Sequence, residues 1–320
     1  MFGKKEKTTK IFFATDIHGS EKCWLKLVNA GPFYEVDTVV LGGDMTGKGI
    51  QVLLEETPGV WKTNFLGEQV VVEDEEGLSK ARAKIRNAGF YPRLFKPDEY
   101  QNFLASAEVQ ERMFREEMTK VIQNWLEFAE KKLKGTGRRI VVTAGNDDPL
   151  YINELFTQSS VVSMVERRVI QLDENHEMIN EGYSNHTPWK THREMEEDDL
   201  YEVIKQQVEQ LKDLPNSIFN LHCPPYNSKL DDAPLLDKNI RPVDGGRTYV
   251  PVGSTAVRKA IETYQPLMGL HGHVHEAKGS VYLGRTLCIN PGSNYTEGAL
   301  AGYLISLDKH SVRAFQPIQG

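Results

Sequence analysis

Short apolar runs alternate with helical stretches along the chain, and five of these runs end in polar residues of the same few types. The five runs are KIFFATD, VDTVVLGGD, RRIVVTAGNDD, SIFNLHCPP and PLMGLHGHVH. Each has the length and composition of a buried strand and carries Asp, Asn or His at its carboxyl end. Because ligand-binding groups of α/β folds collect beyond the carboxyl ends of strands, the pattern predicts that these five ends meet at one site.

The spacing of apolar residues also predicts the other elements. An amphipathic helix is expected over 21–30, with Gly31-Pro32 as its stop. An insertion over about 50–137 separates the second run from the third, and it should contain a hairpin around Leu66-Gly67 and a helix near 78–88. A long helical stretch follows over 98–134; at 1.5 Å per residue it would be about 50 Å long, so we expect a break inside it. We predict one α/β domain over 1–320 that carries this insertion.

Composition narrows the classes of function. The 320 residues are 39% hydrophobic and 26% charged, which is typical of a soluble globular protein. A net charge of -7 disfavours binding to extended nucleic acid, which needs clustered basic residues. Cys23, Cys223 and Cys288 show no paired spacing, and the first residues, MFGKKEKTTK, lack an apolar segment. These features predict a cytoplasmic protein with reduced thiols and no membrane partner.

The polar residues at the strand ends have the chemistry of metal ligands. A DxH pair places two ligands on one face as a strand ends, and glycines beside a ligand let the backbone approach an ion. Mixed His, Asp and Asn ligands suit Mn, Fe or Zn. Each element alone is a weak signal, but five of them in this order are informative. The residues are Asp16, His18, Asp44, Asn146, Asp147, Asp148, His222, His273 and His275.

In this order the motifs resemble those of the calcineurin-like metallophosphoesterases. The family pattern is DxH, GD, GNH followed by an acidic residue, a lone His, and GHxH. Here it is matched by Asp16/His18, Gly43-Asp44, Gly145-Asn146-Asp147-Asp148, His222 and Gly272-His273-Val274-His275, which span most of the chain. INPGS at 289–293 is also similar to the segment that follows GHxH in several small members. The resemblance implies a four-layer α/β fold, in which two facing mixed β-sheets are flanked by helices.

The resemblance further implies two divalent metal ions and a hydrolytic reaction. One ion would be held by Asp16, His18, Asp44 and His275, and the other by Asp44, Asn146, His222 and His273. A hydroxide bridging the ions would attack the phosphorus of a small phosphate ester. Similarity to relatives that lack the motif histidine favours a phosphodiester, such as a nucleotide, as the substrate.

One position departs from the family pattern. Asp147 stands where the GNH motif has the histidine that contacts the substrate and assists the leaving group. An aspartate supplies no cation and donates a proton only if its pKa is raised, so the general acid stays open, and a donor from elsewhere is one alternative. Asp148 matches the following acidic residue, which orients the ligands. Two rival interpretations are a metal-binding scaffold for protein interaction and a Mn-dependent nuclease.

Several other residues have open roles. His186 and His192 lie in a polar loop, where solvated histidine is the alternative to a functional role. A substrate-lining role for His186, Trp189 or Arg193 is the other interpretation, because similar TPW-type segments occur in some relatives. Arg247 either pairs with a phosphate or lies free on the surface. His271 is expected to be structural, and Ser254 is expected to cap a helix. The hairpin over 59–72, with Trp61 and Phe65, either overhangs the site or packs on the body.

Overall fold

The computed structural model describes residues 8–320. The strands in this range are β1 Thr9–Ala14, β2 Thr38–Leu41, β3 Ile50–Thr57, β4 Val60–Phe65, β5 Glu68–Val72, β6 Tyr91–Phe95, β7 Arg139–Val142, β8 Val162–Met164, β9 Ile170–Gln171, β10 Glu177–Glu181, β11 Ile218–Leu221, β12 Asp232–Pro234, β13 Tyr249–Pro251, β14 Met268–Leu270, β15 Gly279–Leu283, β16 Thr286–Asn290, β17 Ala301–Leu307 and β18 Val312–Gln319. The helices are α1 Glu21–Phe33, α2 Glu75–Asn87, α3 Pro97–Ala105, α4 Ala107–Leu133, α5 Glu197–Val208 and α6 Thr255–Tyr264, with short 3₁₀ turns at Leu150–Gln158, Leu214–Asn216, Val243–Gly246 and Tyr295–Glu297.

Two six-stranded mixed sheets form the centre of the molecule. The first has the order β18-β17-β1-β2-β7-β8, and the second has the order β15-β16-β14-β11-β10-β9. The strands β1, β2, β7 and β8 are parallel. Strand β17 pairs antiparallel to β1, and β18 pairs antiparallel to β17. In the second sheet β10, β11, β14 and β16 are parallel, with antiparallel strands at both edges. Parallel neighbours present their carboxyl ends at one edge of each sheet.

The two sheets face each other, and helices cover their outer faces. Alternate residues of β1 show this arrangement, because Ile11 and Phe13 pack between the sheets while Phe12 and Ala14 pack against α1 and α4. Helices α5 and α6 cover the outer face of the second sheet, against residues such as Phe219. The predicted four-layer α/β fold, with two facing mixed sheets flanked by helices, is therefore confirmed.

The insertion contains a third sheet that the sequence pattern did not reveal. Its order is β5-β4-β3-β6, and the predicted hairpin supplies β4 and β5. The strands β3 and β6 pair in parallel, and α2 packs on the sheet through an apolar cluster. Phe65 belongs to this cluster and meets Phe90 edge to face, with ring centroids 5.8 Å apart. The hairpin therefore packs on its own sheet and on α2.

Two helix predictions had different outcomes. The expected break in the long helical stretch is confirmed at Ser106, which ends α3 and whose hydroxyl accepts the Val109 N–H at the start of α4. The expected stop at Gly31-Pro32 is wrong, because α1 continues to Phe33. The last turn still closes after the proline, since Tyr34 N–H donates to the Ala30 carbonyl.

Helix α4 is joined to the central layers by a pair of stacked indoles. The rings of Trp24 and Trp125 lie 4.9 Å apart, and the Trp24 indole N–H donates to the Trp125 carbonyl at 3.1 Å. The three cysteines of the described chain are buried free thiols. None of the helices between residues 8 and 320 combines the length and the apolar character that crossing a membrane requires.

A buried carboxyl group lies at the edge between the two sheets. Glu166 Oε1 accepts the Gly182 N–H at 3.1 Å, whereas Glu166 Oε2 is buried without a partner in the described structure. Burial, and then the charge of Glu181, raise the pKa of Glu166 to about 8. The folded protein therefore holds this proton more tightly than the unfolded chain does, so Glu166 costs stability as the pH rises from about 4.5 towards 8.

We expect Glu166→Gln to stabilise the protein at pH 8 and to have little effect at pH 4. The gain at pH 8 should be ~1–3 kcal/mol, because glutamine is neutral and avoids the cost of burying an ionised carboxylate. Denaturant unfolding at both pH values measures it, with the exposed Glu154→Gln as a control. Equal effects of Glu166→Gln at the two pH values would contradict the assignment.

Candidate metal centre

The loops that follow five parallel strands carry the predicted site residues to one place. The strands are β1, β2 and β7 of the first sheet and β11 and β14 of the second. Because the sheets face each other, their carboxyl edges lie side by side, and residues up to 257 positions apart come within hydrogen-bonding distance. The residues brought together are Asp16 and His18, Asp44, Asn146, Asp147 and Asp148, His222, and His273 and His275.

The first group of side chains consists of Asp16, His18 and His275. His18 Nε2 lies 2.9 Å from His275 Nε2, and Asp16 Oδ1 lies 3.4 Å from the same His275 nitrogen and 3.9 Å from His18 Nε2. Asp16 and His18 are fully buried, whereas the His275 side chain is 28% exposed. This group therefore faces solvent only on its His275 side.

The second group consists of Asn146, His222 and His273. Asn146 Oδ1 lies 2.7 Å from His273 Nδ1 and 3.1 Å from His222 Nε2. The carboxylate of Asp44 lies between the two groups, because its Oδ2 is 3.5 Å from His222 Nε2 and 3.7 Å from His18 Nε2. Asp44 thus lies within 3.7 Å of a histidine of each group, and Asp16 Oδ1 also lies 3.9 Å from His222 Nε2.

Four of these residues adopt a left-handed backbone conformation. The φ angles are 52° at Asp16, 38° at His18, 50° at Asp44 and 68° at His273. Such a conformation costs about 1–3 kcal/mol at a residue other than glycine, and it is concentrated at functional sites. The loops are held in it by cross-loop hydrogen bonds, including Asp16 N–H to the Gly43 carbonyl and His18 N–H to the Asp44 carbonyl.

Neighbouring groups orient the side chains of the second group. The Nδ1 of His222 donates to the Gly42 carbonyl at 2.9 Å, which leaves its Nε2 free of a proton to face the site when the imidazole is neutral. The Asn146 amide Nδ2 donates to Thr191 Oγ1 at 2.9 Å, and the Thr191 hydroxyl donates to Glu194. This chain fixes the amide so that Asn146 Oδ1 points at the two histidines. Thr191 and Glu194 were not predicted from the sequence.

Asp148 ties the loop after β7 to the loop after β2. Its buried carboxylate accepts the backbone N–H groups of Met45, Thr46 and Gly145 and the Thr46 hydroxyl, at distances of 2.7 to 3.1 Å. The hydrogen bonds fix the relative positions of Asp44 and Asn146. The orienting role that the resemblance implies for Asp148 stays a prediction.

Electrostatics show that the cluster favours a positive charge. Burial raises the pKa of Asp16, but His275 and His222 outweigh burial and lower it to about 2. Burial lowers the pKa of His222, but the Asp44 and Asp16 carboxylates raise it to about 10. For His273, burial lowers the pKa to about 4. The two buried carboxylates thus favour a positive charge in the cluster.

Asp147 lies beside the two groups and contacts a residue that the sequence analysis did not single out. Its N–H donates to Asp44 Oδ1 at 2.9 Å, and its carboxylate forms an ion pair with the Lys48 ammonium. Burial and then the Asp44 charge raise the pKa of Asp147, while Lys48 opposes them. The signal available in the sequence was the position of Lys48, four residues after Asp44 in the same glycine-rich loop.

Arg193 does not line a substrate site, so that alternative is wrong. Its side chain is buried, and it donates to the Asp148 carbonyl at 2.7 Å and to the Pro149 carbonyl and Asn153. These hydrogen bonds hold the loop after β7 in place. His271 is buried with Nδ1 2.8 Å from the Leu221 carbonyl, as expected of a structural histidine.

Three further residues lie at the surface, and a fourth caps a helix. Trp189 and Arg247 are accessible to solvent, and His186 lies beside Glu194 and Glu196 at the surface. Their substrate contacts stay predictions. The hydroxyl of Ser254 accepts the Val257 N–H, which confirms it as the cap of α6.

The donor set and its spacing fit divalent cations. Two ligand atoms bound at right angles to one ion, each about 2.1 Å away, lie about 3 Å apart. The His18–His275 separation of 2.9 Å and the two Asn146 separations of 2.7 and 3.1 Å are close to this value. Imidazole, carboxylate and amide ligands together suit Mn, Fe or Zn.

We expect Gly43→Ala to displace His222 and to weaken metal binding at the cluster. A Cβ atom at Gly43 would lie 2.3 Å from His222 Nδ1, and the φ of +124° disfavours any side chain. Metal affinity and turnover should fall by at least about 10–100-fold, the usual effect of disturbing a ligand's support. Metal content and turnover of the purified variant measure the effect.

Gly67→Ala is a matched control for this substitution. Gly67 also has a positive φ, +80°, but a Cβ there would contact nothing within 4 Å. It should therefore show the backbone cost without the loss of metal. If Gly43→Ala and Gly67→Ala had the same metal content, the proposed packing of His222 against Gly43 would be refuted.

Comparison with known proteins gives the following matches. No family model matches the sequence. The protein MJ1162 of Methanocaldococcus jannaschii is 32% identical over 129 residues, which are 40% of this chain and 52% of that protein. The matched part thus spans about half the length of this curated relative.

Solved structures resemble the chain over nearly its full length. TT1561 of Thermus thermophilus has a TM-score of 0.52 and 14% identity, over 98% of this chain and 99% of that one. An archaeal phosphodiesterase has a TM-score of 0.38 and 11% identity, over 98% and 100%. Yfce, a phosphoesterase from E. coli, has a TM-score of 0.34 and 12% identity, over 96% and 98%. The likeness to TT1561 concerns the fold alone.

Proposed function

We propose that this chain, which has the fold of the calcineurin-like metallophosphoesterases, hydrolyses phosphate esters at the cluster between its two sheets. The observation that carries the proposal is the convergence of imidazole, carboxylate and amide groups from five strand ends, at separations that suit shared cations. A structural role alone gives no reason to place them in this geometry, because buried charges are costly unless they are paired or bind metals.

The proposal divides the ligands into two groups. Asp16, His18 and His275 would hold one divalent cation, and Asn146, His222 and His273 would hold the other. Asp44 would contribute to both. Cations bound there supply Lewis acidity towards phosphoryl oxygens and lower the pKa of a water molecule.

The chain's own residues prepare the site for this chemistry. The Gly42 carbonyl and Thr191 hold His222 and Asn146 in their orientations, so the ligands need not reorganise during the reaction. Asp148 fixes the two loops that carry Asp44 and Asn146. The partly exposed His275 marks the side from which a small substrate enters.

The substrate proposed is a phosphodiester, and a nucleotide is the favoured kind. The test is a screen of the purified protein with Mn, Fe or Zn against bis(p-nitrophenyl) phosphate, p-nitrophenyl phosphate, cyclic nucleotides and dinucleotides. We expect metal-dependent turnover that is faster for the diesters.

The outcomes of the screen separate the rival functions. Faster turnover of monoesters would overturn the diester preference alone. Cleavage restricted to long DNA with Mn would favour a nuclease. Metal binding without turnover of any ester would favour the scaffold for protein interaction and contradict the proposed function.

A further inference from the structure

We propose that Lys48 supplies the positive charge that contacts a phosphoryl oxygen of the bound substrate, and that Asp147 positions it. This inference rests on the proposed function. It assigns to an ion pair the task for which the family pattern has a single histidine. It also accounts for an aspartate at that place in the GND sequence.

The backbone around Lys48 is fixed beside the metal centre. Lys48 lies four residues after Asp44, in the loop that follows β2. Its N–H donates to the Gly89 carbonyl at 3.1 Å, and the preceding Gly47 N–H donates to the Tyr91 hydroxyl at 2.7 Å. The loop is thereby anchored to the inserted sheet through β6 and the residues before it.

The ammonium group of Lys48 reaches the rim of the ligand cluster. It contacts Asp147 Oδ2, and that same oxygen lies 3.7 Å from His18 Nδ1. Asp147 also forms a group with His18 and Asp44 whose ligand atoms all lie within 4.8 Å of one another. The lysine cation is therefore next to the place where a phosphate on the cluster would lie.

Lys48 remains available to a ligand while it is paired. Its side chain is 35% exposed and that of Asp147 is 22% exposed, so the pair opens to solvent. An ammonium group has three donors, and Asp147 occupies one of them. Burial lowers the pKa of Lys48, but the Asp44 and Asp147 carboxylates outweigh burial and raise it, so the group is a fixed cation at neutral pH.

The buried Arg193, which contacts the loop after β7, cannot take this role. Arg193 is buried behind the loop, and its guanidinium donates to the Asp148 and Pro149 carbonyls and to Asn153. Lys48, in contrast, both contacts Asp147 at the cluster and faces solvent. A phosphoryl group gains negative charge on its outer oxygens during transfer, and a fixed cation there stabilises it.

The test compares Lys48→Met with Lys48→Arg and with Lys80→Met, which removes an exposed lysine that also pairs with a carboxylate. We expect Lys48→Met to lower kcat by roughly 10²-fold, the usual effect of losing one preorganised donor to a developing oxyanion. Inhibition by inorganic phosphate should weaken about 10-fold, since the same contact binds the product. Metal content should stay that of the wild type, Lys48→Arg should keep part of the activity, and Lys80→Met should keep all of it.

The positioning role of Asp147 is tested by combining substitutions. Asp147→Asn should lower kcat less than Lys48→Met does, and the two losses should not add. Asp147→His in the Lys48→Met background should restore part of the activity, because it returns a cation-forming side chain to the motif. Additive losses and no rescue would refute the assigned role of Asp147.

A separate result decides the inference about Lys48. If the wild type hydrolyses phosphate esters and Lys48→Met shows the same kcat and the same phosphate inhibition, the inference is wrong while the proposed function stands. If the wild type binds metal but hydrolyses none of the esters, the proposed function itself fails.

Discussion

Asp44→Asn is expected to lower turnover by about 10³-fold or more and to reduce the number of bound cations, because loss of a shared ligand removes several kcal/mol of charge stabilisation. The carboxylate lies between the two ligand groups, at 3.5 Å from His222 Nε2 and 3.7 Å from His18 Nε2. Asparagine keeps the shape and one acceptor oxygen, but it removes the charge and one of the two ligand oxygens.

The measurement is kcat with a chromogenic phosphodiester, together with metal analysis of the same sample. Asp198→Asn is the matched control, because Asp198 is a surface aspartate in the first turn of α5. The control should keep both activity and metal. Near-normal turnover of Asp44→Asn with an intact pair of cations would refute the assignment of Asp44 as the shared ligand.

Removal of metal by a chelator is expected to abolish turnover and to destabilise the fold. The cluster contains the buried carboxylates of Asp16 and Asp44 beside four imidazoles, and cations satisfy these groups only in the folded state. A ligand present at about 100 times its Kd stabilises the folded state by about 2.7 kcal/mol, so chelation should lower Tm by several degrees. Adding Mn, Fe or Zn should restore both Tm and activity.

The control for this experiment is His273→Ala, which removes a side chain from the second group. It should show a smaller loss of stability on chelation than the wild type, because it holds less metal. An unchanged Tm and undiminished turnover in the chelated wild type would show that the cluster binds no functional cation.

The sequence was enough to predict the fold class and the strand ends that meet. Each ligand loop follows a short apolar strand, and the order of the loops matches a family pattern. Neither of these two predictions therefore needed information about distant contacts. The side-by-side position of His18 and His275 follows from that pattern, although 257 residues separate them.

The missed features depend on contacts between distant segments. Strands β3 and β6 pair with each other across the hairpin and α2, and short segments give little local signal for such pairing. Helix α1 continues past Pro32 to Phe33, and its last turn is closed by the Tyr34 N–H, which donates to the Ala30 carbonyl. The role of Lys48 became visible only when the structure placed its ammonium beside Asp147, since a lysine in a loop is usually solvated.

The most direct test of the central claim is the anomalous scattering from crystals of the manganese-loaded protein. We expect two peaks, one bonded to Asp16, His18 and His275 and the other to Asn146, His222 and His273, with Asp44 bonded to both. Absence of both peaks from this cluster, or a single peak that leaves either ligand group without an ion, would contradict that claim.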